Sequence, residues 1–395
     1  MNRPAAVRKA LGFVVILGIV SLFADANYEG GRSIAGPYLF ILGLTPVLLG
    51  FMSGAIDLFQ YFGRYAAGLW VDRNGHAWFI LVLGYVLNLF ALPALMFTHE
   101  LVGALGLLFL ERLGRGIRNP VKNSLLAHAG DALGHGRAFG LYEILDQAGA
   151  VLGPLFVGFW LLRHSFRMAF ATLLIPALIA MVGLGIAYRF RSRPATGKQG
   201  SVEPEKVPSS VDQERIRQFM IWVALGAAAP GTYIFIGYVL MAHNHWTPPD
   251  VAGAFALAMA TDGVGGYCLG MLYDRLGFLT VYIFPAVLGL SIAFIFWGHT
   301  WLVWAGIGLW GIQLGFTEAI IPAMFGHIIP RASRARLFGI LGLLSGISGL
   351  LGVGVMGVLY AIHPAWTPVW TLIMAVAAIY FISHHGWVEH KVRTG

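Results

Sequence analysis

Gly68-Leu69-Trp70-Val71-Asp72-Arg73-Asn74-Gly75 ends one apolar run and precedes another, and Gly270-Met271-Leu272-Tyr273-Asp274-Arg275-Leu276-Gly277 does the same in the second part of the chain. An internal repeat of this kind decides the architecture before any local propensity does. The glycines let the backbone turn and approach closely, and the Asp-Arg pair belongs at a polar surface. Each copy therefore predicts a tight hairpin loop at a membrane face. A single Asp-Arg-x-Gly turn says little, but two copies in matching places predict two similar halves.

Composition points the same way. Of 395 residues, 58% are hydrophobic and 11% charged, which excludes an ordinary soluble domain. The formal charge of +8 would suit a nucleic-acid partner. However, its basic residues lie in short loops between apolar runs, where the positive-inside rule places them. The lipid bilayer is the expected surrounding, and no nucleic acid is expected. Cys268 is the sole cysteine and falls in an apolar segment, which excludes an internal disulfide and a cysteine-based zinc site. Arg8 and Lys9 lead directly into the first apolar run without a small-residue cleavage site, so no cleaved leader is expected.

A membrane helix needs about 20 apolar residues. By that measure the chain predicts an all-α membrane protein with twelve transmembrane helices, near 10–38, 46–69, 77–97, 101–122, 137–162, 167–188, 217–241, 249–272, 279–298, 301–326, 337–361 and 366–385. The expected organisation is an N-terminal six-helix bundle (1–188), a linker (189–216) rich in proline, serine and basic residues, and a C-terminal six-helix bundle (217–395). Arg3, Arg8, Lys9, Arg73, Lys122, Arg137, the linker cluster, Arg275, Arg331, Arg334, Arg336, Lys391 and Arg393 fall on one side of the predicted topology, against Arg163 and Arg167 on the other. Both termini and the linker are therefore expected on the cytoplasmic side. The repeat also extends further. Arg137-Ala138-Phe139-Gly140 opens the fifth span and Arg336-Leu337-Phe338-Gly339 the eleventh, with Gly153 and Gly158 matched by Gly352 and Gly357. Two such halves in parallel orientation form a transporter architecture whose site lies near mid-membrane at the repeat interface.

These residues carry a resemblance that spans essentially the whole chain. Gly68-x-x-x-Asp72-Arg73-x-Gly75 resembles the signature loop of the major facilitator superfamily, with His76-Ala77 where a basic pair usually follows. Arg112-Leu113-Gly114-Arg115-Gly116 is similar to that family's helix 4 motif. Gly140, Gly149, Gly153 and Pro154 fit the helix 5 motif associated with its antiporters, although Val157-Gly158 replaces two final glycines. The resemblance implies two pseudo-symmetric bundles working by alternating access. It also implies gating contacts at Gly68, Asp72, Arg73 and Gly75 and at Gly270, Asp274, Arg275 and Gly277.

Ionisable residues within membrane spans cost about 2.5–3.5 kcal/mol each on insertion scales and are functional candidates by default. Asp25, Glu29 and Arg32 fall within about 60° of one another on a helix and share that face with Gly36. The alternative is that helix 1 ends near Leu22 and leaves them in a loop. Helix 4 carries Glu111, Arg112, Arg115, Arg118 and Lys122. Counted at 1.5 Å per residue, Arg112 lies about 16 Å deep, while Arg118 and Lys122 are expected to reach the cytoplasmic surface. Arg112 is thus the expected arginine of the site, with a structural pair to Glu111 or a helix 1 carboxylate as its alternative. Asp57, Glu143 and Asp146 complete the candidate set for solute binding or proton coupling. A static ion-pair network is the competing reading of the whole cluster. The second half offers Asp262 and Glu318. No metal site is expected, because arginines interleave the helix 1 carboxylates and His243-Asn244-His245 lacks a third ligand. No phosphate-binding loop is present, so ATP drive and cofactors are not expected.

The expectation is a monomeric inner-membrane transporter that moves a small polar or anionic organic solute, with proton-coupled export favoured by the helix 5 glycines. A uniporter or proton-coupled importer of the same fold is the alternative. A metal-ion exporter or membrane-embedded enzyme fits less well, since no paired nucleophile and base stands out. The repeated loops generate one prediction. Asp72→Asn should shift the conformational population and slow turnover while membrane insertion stays intact. Unchanged cysteine-accessibility patterns together with unchanged transport would remove Asp72 from the gate.

Overall fold

The computed structural model describes residues 3–190, 210–330 and 333–384, and among these it contains helices and no strand. The first six expected spans are α1 (Arg3–Ile41), α2 (Pro46–Asn74), α3 (Ala77–Ala94), α4 (Leu101–Leu133), α5 (His135–Leu161) and the pair α6 (Phe166–Thr172) and α7 (Leu174–Phe190). The next six are α8 (Ser210–Ala227) with α9 (Tyr233–Ala242), α10 (Pro248–Leu276), α11 (Ile283–Trp297), α12 (Thr300–Gly315) with α13 (Ile321–Ile328), α14 (Arg334–Ile362) and α15 (Trp366–His384). Eight stretches among the described residues are long and apolar enough to cross a membrane. The chain is a multi-pass helical membrane protein. Linker residues 191–209 and the side chain of Asp72 lie outside the described residues.

Two local expectations change, and one alternative falls away. The repeated segments are helical rather than looped: Gly68 to Asn74 complete α2, and Gly270 to Leu276 complete α10. The turn is left to Gly75 (φ +66°) and Gly277 (φ +57°), left-handed positions that cost glycine little. Helix α1 continues well past Leu22, so Asp25, Glu29 and Arg32 are helical. The expected span 217–241 is interrupted between α8 and α9, where Pro230 supplies no N–H and Gly231 turns at φ +68°. The carbonyls around this break accept side-chain donors: Trp370 Nε1 reaches Ala228 O (3.0 Å), Thr371 Oγ1 reaches Ala229 O (2.9 Å) and Trp310 Nε1 reaches Pro230 O (3.2 Å). Such satisfaction makes a broken helix tolerable inside an apolar phase.

The chain forms two compact units. One contains residues 1–44, 59–196 and 236–256, and the other contains 45–58, 197–235 and 257–395, so α2 and α10 each contribute to both. Within the first unit, α1 and α5 pack at backbone distance. A Cβ on Gly149 would press against the Leu22 carbonyl, and one on Gly153 against the backbone of Ala26. Within the second unit, a Cβ on Gly352 of α14 would press against the backbone of Ala228, which repeats the arrangement at the matching sequence position. Apolar clusters complete each unit, one around Leu81, Tyr85, Leu89, Ala180 and Leu184, another around Phe219, Trp222, Phe284, Phe316 and Phe325.

This packing predicts unequal effects along the helix 5 glycines. Gly153→Val should destabilise the first unit by about 1–3 kcal/mol or more, as overpacking against rigid backbone does. Gly140→Ala should be tolerated, because a Cβ there meets nothing within 4 Å. Thermal unfolding in detergent distinguishes the two, and equal midpoints would refute the packing role of Gly153.

Candidate functional site: a charged ladder on three helices

Three helical stripes meet in the first unit. Ser21, Asp25, Tyr28 and Arg32 lie within about 60° on α1, with Glu29 beside them. Tyr142, Asp146, Gly149 and Gly153 share a similar stripe on α5. The two glycines admit the α1 backbone and so bring Ser21 and Asp25 onto Tyr142 and Asp146. On α4, Glu111, Arg115, Arg118 and Lys122 fall within about 60°, whereas Arg112 points about 100° away from Glu111. The close approach of α3 to α4 at Gly84 and Gly114 completes the enclosure.

The side chains form a ladder of alternating charge. At one end, Arg32 Nη1 lies 3.5 Å from Glu29 Oε2, and Arg115 Nη2 lies 3.7 Å from Glu29 Oε1. Arg115 also donates to the Tyr28 hydroxyl at 2.6 Å, and that hydroxyl donates to Asp25 Oδ2 at 3.2 Å. Arg118 donates to Asp25 Oδ1 at 3.4 Å while its guanidinium lies 4.7 Å from the Tyr85 ring centroid and 5.2 Å from that of Tyr28. At the other end, Lys122 Nζ donates to the Tyr142 hydroxyl at 2.6 Å, and Tyr142 donates to Asp146 Oδ1 at 2.9 Å. The Ser21 hydroxyl contacts both Tyr142 and Asp146. Asp146 faces Asp25 closely enough for the two carboxyls to interact. Two tyrosines thus serve the same role: each links a cation of α4 to a carboxylate, Arg115 to Asp25 through Tyr28 and Lys122 to Asp146 through Tyr142.

The candidate residues separate by position. Asp25, Glu29, Arg32 and Asp146 converge in this ladder. Arg112 is buried beside Glu111, its Nε 3.7 Å from Glu111 Oε2, and Asn88 Nδ2 of α3 donates to Glu111 Oε1 at 2.8 Å. Glu143 is exposed on α5, although its charge reaches Lys122. Asp57 is half-buried and belongs to the second unit. Arg118 does not reach the surface as expected. Its 2% side-chain exposure places it within the bundle, where it pairs with Asp25. Lys122, also expected at the surface, is half-buried and bonded to Tyr142 of α5, and Arg115 and Tyr142 are members that the sequence reading gave no role. Spacing held the missing signal, since positions 111, 115, 118 and 122 mark a single helical face.

Arg112 and Glu111 offer a test of this separation. Removing one partner of a buried ion pair costs about 3–5 kcal/mol, because the other charge is left uncompensated. Arg112→Ala should therefore lower the thermal midpoint strongly, and adding Glu111→Gln should recover part of the loss. A midpoint that ignores Arg112→Ala would show that the pair contributes nothing to stability.

Comparison with known proteins agrees with this architecture. The sequence model of the Major Facilitator Superfamily matches residues 15–239. An uncharacterized protein of Mycobacterium tuberculosis is 29% identical over 395 residues, covering 96% of this chain and 93% of its own. An uncharacterized MFS-type transporter of Methanocaldococcus jannaschii is 22% identical over 381 residues, covering 92% of each chain. In fold, the chain is similar to the crystal structure of the nucleoside transporter NupG, with a TM-score of 0.72 over 96% of this chain and 99% of that one at 14% identity. At that identity the likeness concerns the fold alone. The superfamily match spans more than half of the chain and includes the ladder of α1, α4 and α5, so the chain belongs to the Major Facilitator Superfamily.

Proposed function

We propose that this protein is a secondary active transporter that exports a small polar or anionic organic solute across the inner membrane in exchange for protons. It works by alternating access as a monomer, with both termini on the cytoplasmic side. One observation carries the coupling: Asp25 and Asp146 face each other across α1 and α5, and each has its own cation of α4 in reach. Like charges so close repel, and a proton taken up by one of them relieves the repulsion. Protonating Asp25 weakens its pair with Arg118, and releasing the proton restores it. A carboxylate that exchanges its partner in this way can transduce a gradient, which a permanent ion pair cannot.

The burial supports the same reading. Replacing a buried ion pair by well-packed apolar residues of similar volume is often neutral or stabilising, so stability alone gives little reason to keep these charges. Charges retained in membrane spans generally mark solute or ion pathways. The helix 5 glycines, Gly149 and Gly153, set the α1–α5 contact on which the carboxyl pair depends, and their resemblance to the antiporter motif favours export over import. Asp72 and Asp274, each three residues before a left-handed glycine, are assigned to the cytoplasmic gate.

The coupling test is flux in reconstituted vesicles, using candidate solutes and a pH-sensitive dye, with and without an imposed pH gradient. Asp25→Asn should abolish gradient-driven accumulation, yet retain exchange of solute down its own gradient. Asp146→Asn should reduce the same coupling. Wild-type flux that ignores the gradient would refute proton coupling, and full coupling in both variants would move it away from this pair.

A further inference from the structure

The ladder has two branches of the same shape. In one, Arg115 donates to the Tyr28 hydroxyl at 2.6 Å and Tyr28 donates to Asp25 Oδ2 at 3.2 Å. In the other, Lys122 donates to the Tyr142 hydroxyl at 2.6 Å and Tyr142 donates to Asp146 Oδ1 at 2.9 Å. Each is an unbroken line of donors that points from a cation of α4 to one member of the carboxyl pair. The two cations differ in chemistry. A guanidinium is not deprotonated inside a protein, whereas an ammonium gives up its proton readily once buried. Of the two branches, only that of Lys122 can therefore carry a proton along its hydrogen bonds. Surroundings separate the branches further. Lys122 is half-buried, next to exposed Asn123 and Ser124, and exposed Glu143 of α5 has its charge in reach. Asp146 of α5, Asp25 of α1 and Arg118 of α4 also act on it, and the Tyr142 ring centroid lies 4.5 Å from its Nζ. Behind Lys122, Tyr142 is 3% exposed and Asp25 2%. The branch thus runs from a polar, exposed edge of α4 into the interior of the bundle.

From this geometry, and resting on the reading of Asp25 and Asp146 as the proton-carrying pair, we propose that Lys122 and Tyr142 form the proton relay between that pair and the aqueous phase at the Lys122 end of α4. In the orientation assigned above, that end is cytoplasmic. In the uptake direction, the Lys122 ammonium gives a proton to the Tyr142 oxygen as the Tyr142 hydroxyl gives its own to Asp146 Oδ1. One N–H and one O–H bond break, two O–H bonds form, and Tyr142 is neutral before and after. Two neutral groups then stand where Lys122 and Asp146 carried opposite charges. The Lys122 amine recovers a proton from the aqueous phase, and the same steps in reverse release one to it. Ser21, in contact with both Tyr142 and Asp146, holds the oxygens of the last step together. Asp146 faces Asp25, so a proton delivered there enters the pair on which coupling depends.

Infrared difference spectroscopy on the purified full chain in detergent, after a rapid drop in pH, reads the relay without a solute. A carboxylic C=O stretch should rise in the wild type, and its loss in Asp25→Asn or Asp146→Asn assigns it to the pair. Tyr142→Phe removes the hydroxyl, and Lys122→Arg keeps the charge but releases no proton. Each should slow the rise about tenfold or more, as loss of a positioned proton-transfer group does, while the final amplitude is kept. A merely structural role would change the amplitude or the thermal midpoint and not the rate alone. Cooperative unfolding checks that the variants fold, and Lys122→Met is the substitute if the arginine variant does not. Tyr28→Phe should slow the rise less than either. A wild-type rate in folded Tyr142→Phe or in the folded Lys122 variant would overturn the relay and show that protons reach half-buried Asp146 directly. Equal slowing by Tyr28→Phe would overturn the assignment to one branch. A band that is absent, or that survives in both asparagine variants, would overturn the relay together with the reading on which it rests, so the two failures are told apart.

Discussion

Charge inside an apolar bundle must be answered by charge or by hydrogen bonds, because apolar surroundings do not solvate it. The first unit of this protein buries Asp25, Glu29, Glu111, Arg112 and Arg118 almost completely, and these charges are held in pairs or chains. The pairing is possible only because each charged stripe follows the helical repeat and because α1, α4 and α5 bring their stripes together. Tyr28 and Tyr142 extend the reach of Arg115 and Lys122 to carboxylates on other helices. Arg118 gains in addition from the faces of two tyrosine rings, which suits a weakly hydrated guanidinium.

Small residues make that convergence possible. Gly149 and Gly153 remove the side-chain layer between α1 and α5, a recurring way of seating membrane helices closely. Side chains as short as Ser21 and Asp25 can then reach Tyr142 and Asp146. The second unit repeats the close contact at Gly352 and Ala228. Its buried charged and polar members, such as Asp262, Thr280, Ser291, Gln313, Thr367 and Thr371, are fewer in ions and richer in hydroxyls. One unit therefore concentrates ionic chemistry, while the other caps a broken helix with Trp310, Trp370 and Thr371. The shared backbone plan and the unequal chemistry are both consequences of one duplicated pattern carrying different side chains.

Much of this was legible in the residues. The lengths of the apolar runs predicted helices and their order, and the repeated Asp-Arg-x-Gly segments predicted a turn after each, although most of each segment is helical and the turn is confined to Gly75 and Gly277. Helical spacing also placed Asp25, Glu29 and Arg32 on one face. Interruptions were harder to read: the Pro230-Gly231 pair marks a break only once neighbouring donors are known to satisfy its carbonyls. Depth counted along α4 favoured Arg112, but depth does not say which way a side chain points. The 100° step between Arg112 and Glu111 separates that arginine from the face of Arg115, Arg118 and Lys122. The partners across helices depended on glycine contacts that no single helix reveals.

The central claim is that the ladder is retained for transport and not for stability. Its most direct test replaces one rung with apolar residues of similar size, Asp25→Leu together with Arg118→Met. Because a buried ion pair often contributes no more than a well-packed apolar substitute, the double variant should unfold cooperatively at an unchanged or higher temperature. Gradient-driven flux in vesicles should nevertheless be lost. A folded double variant that keeps gradient-driven flux at the wild-type level would contradict the account.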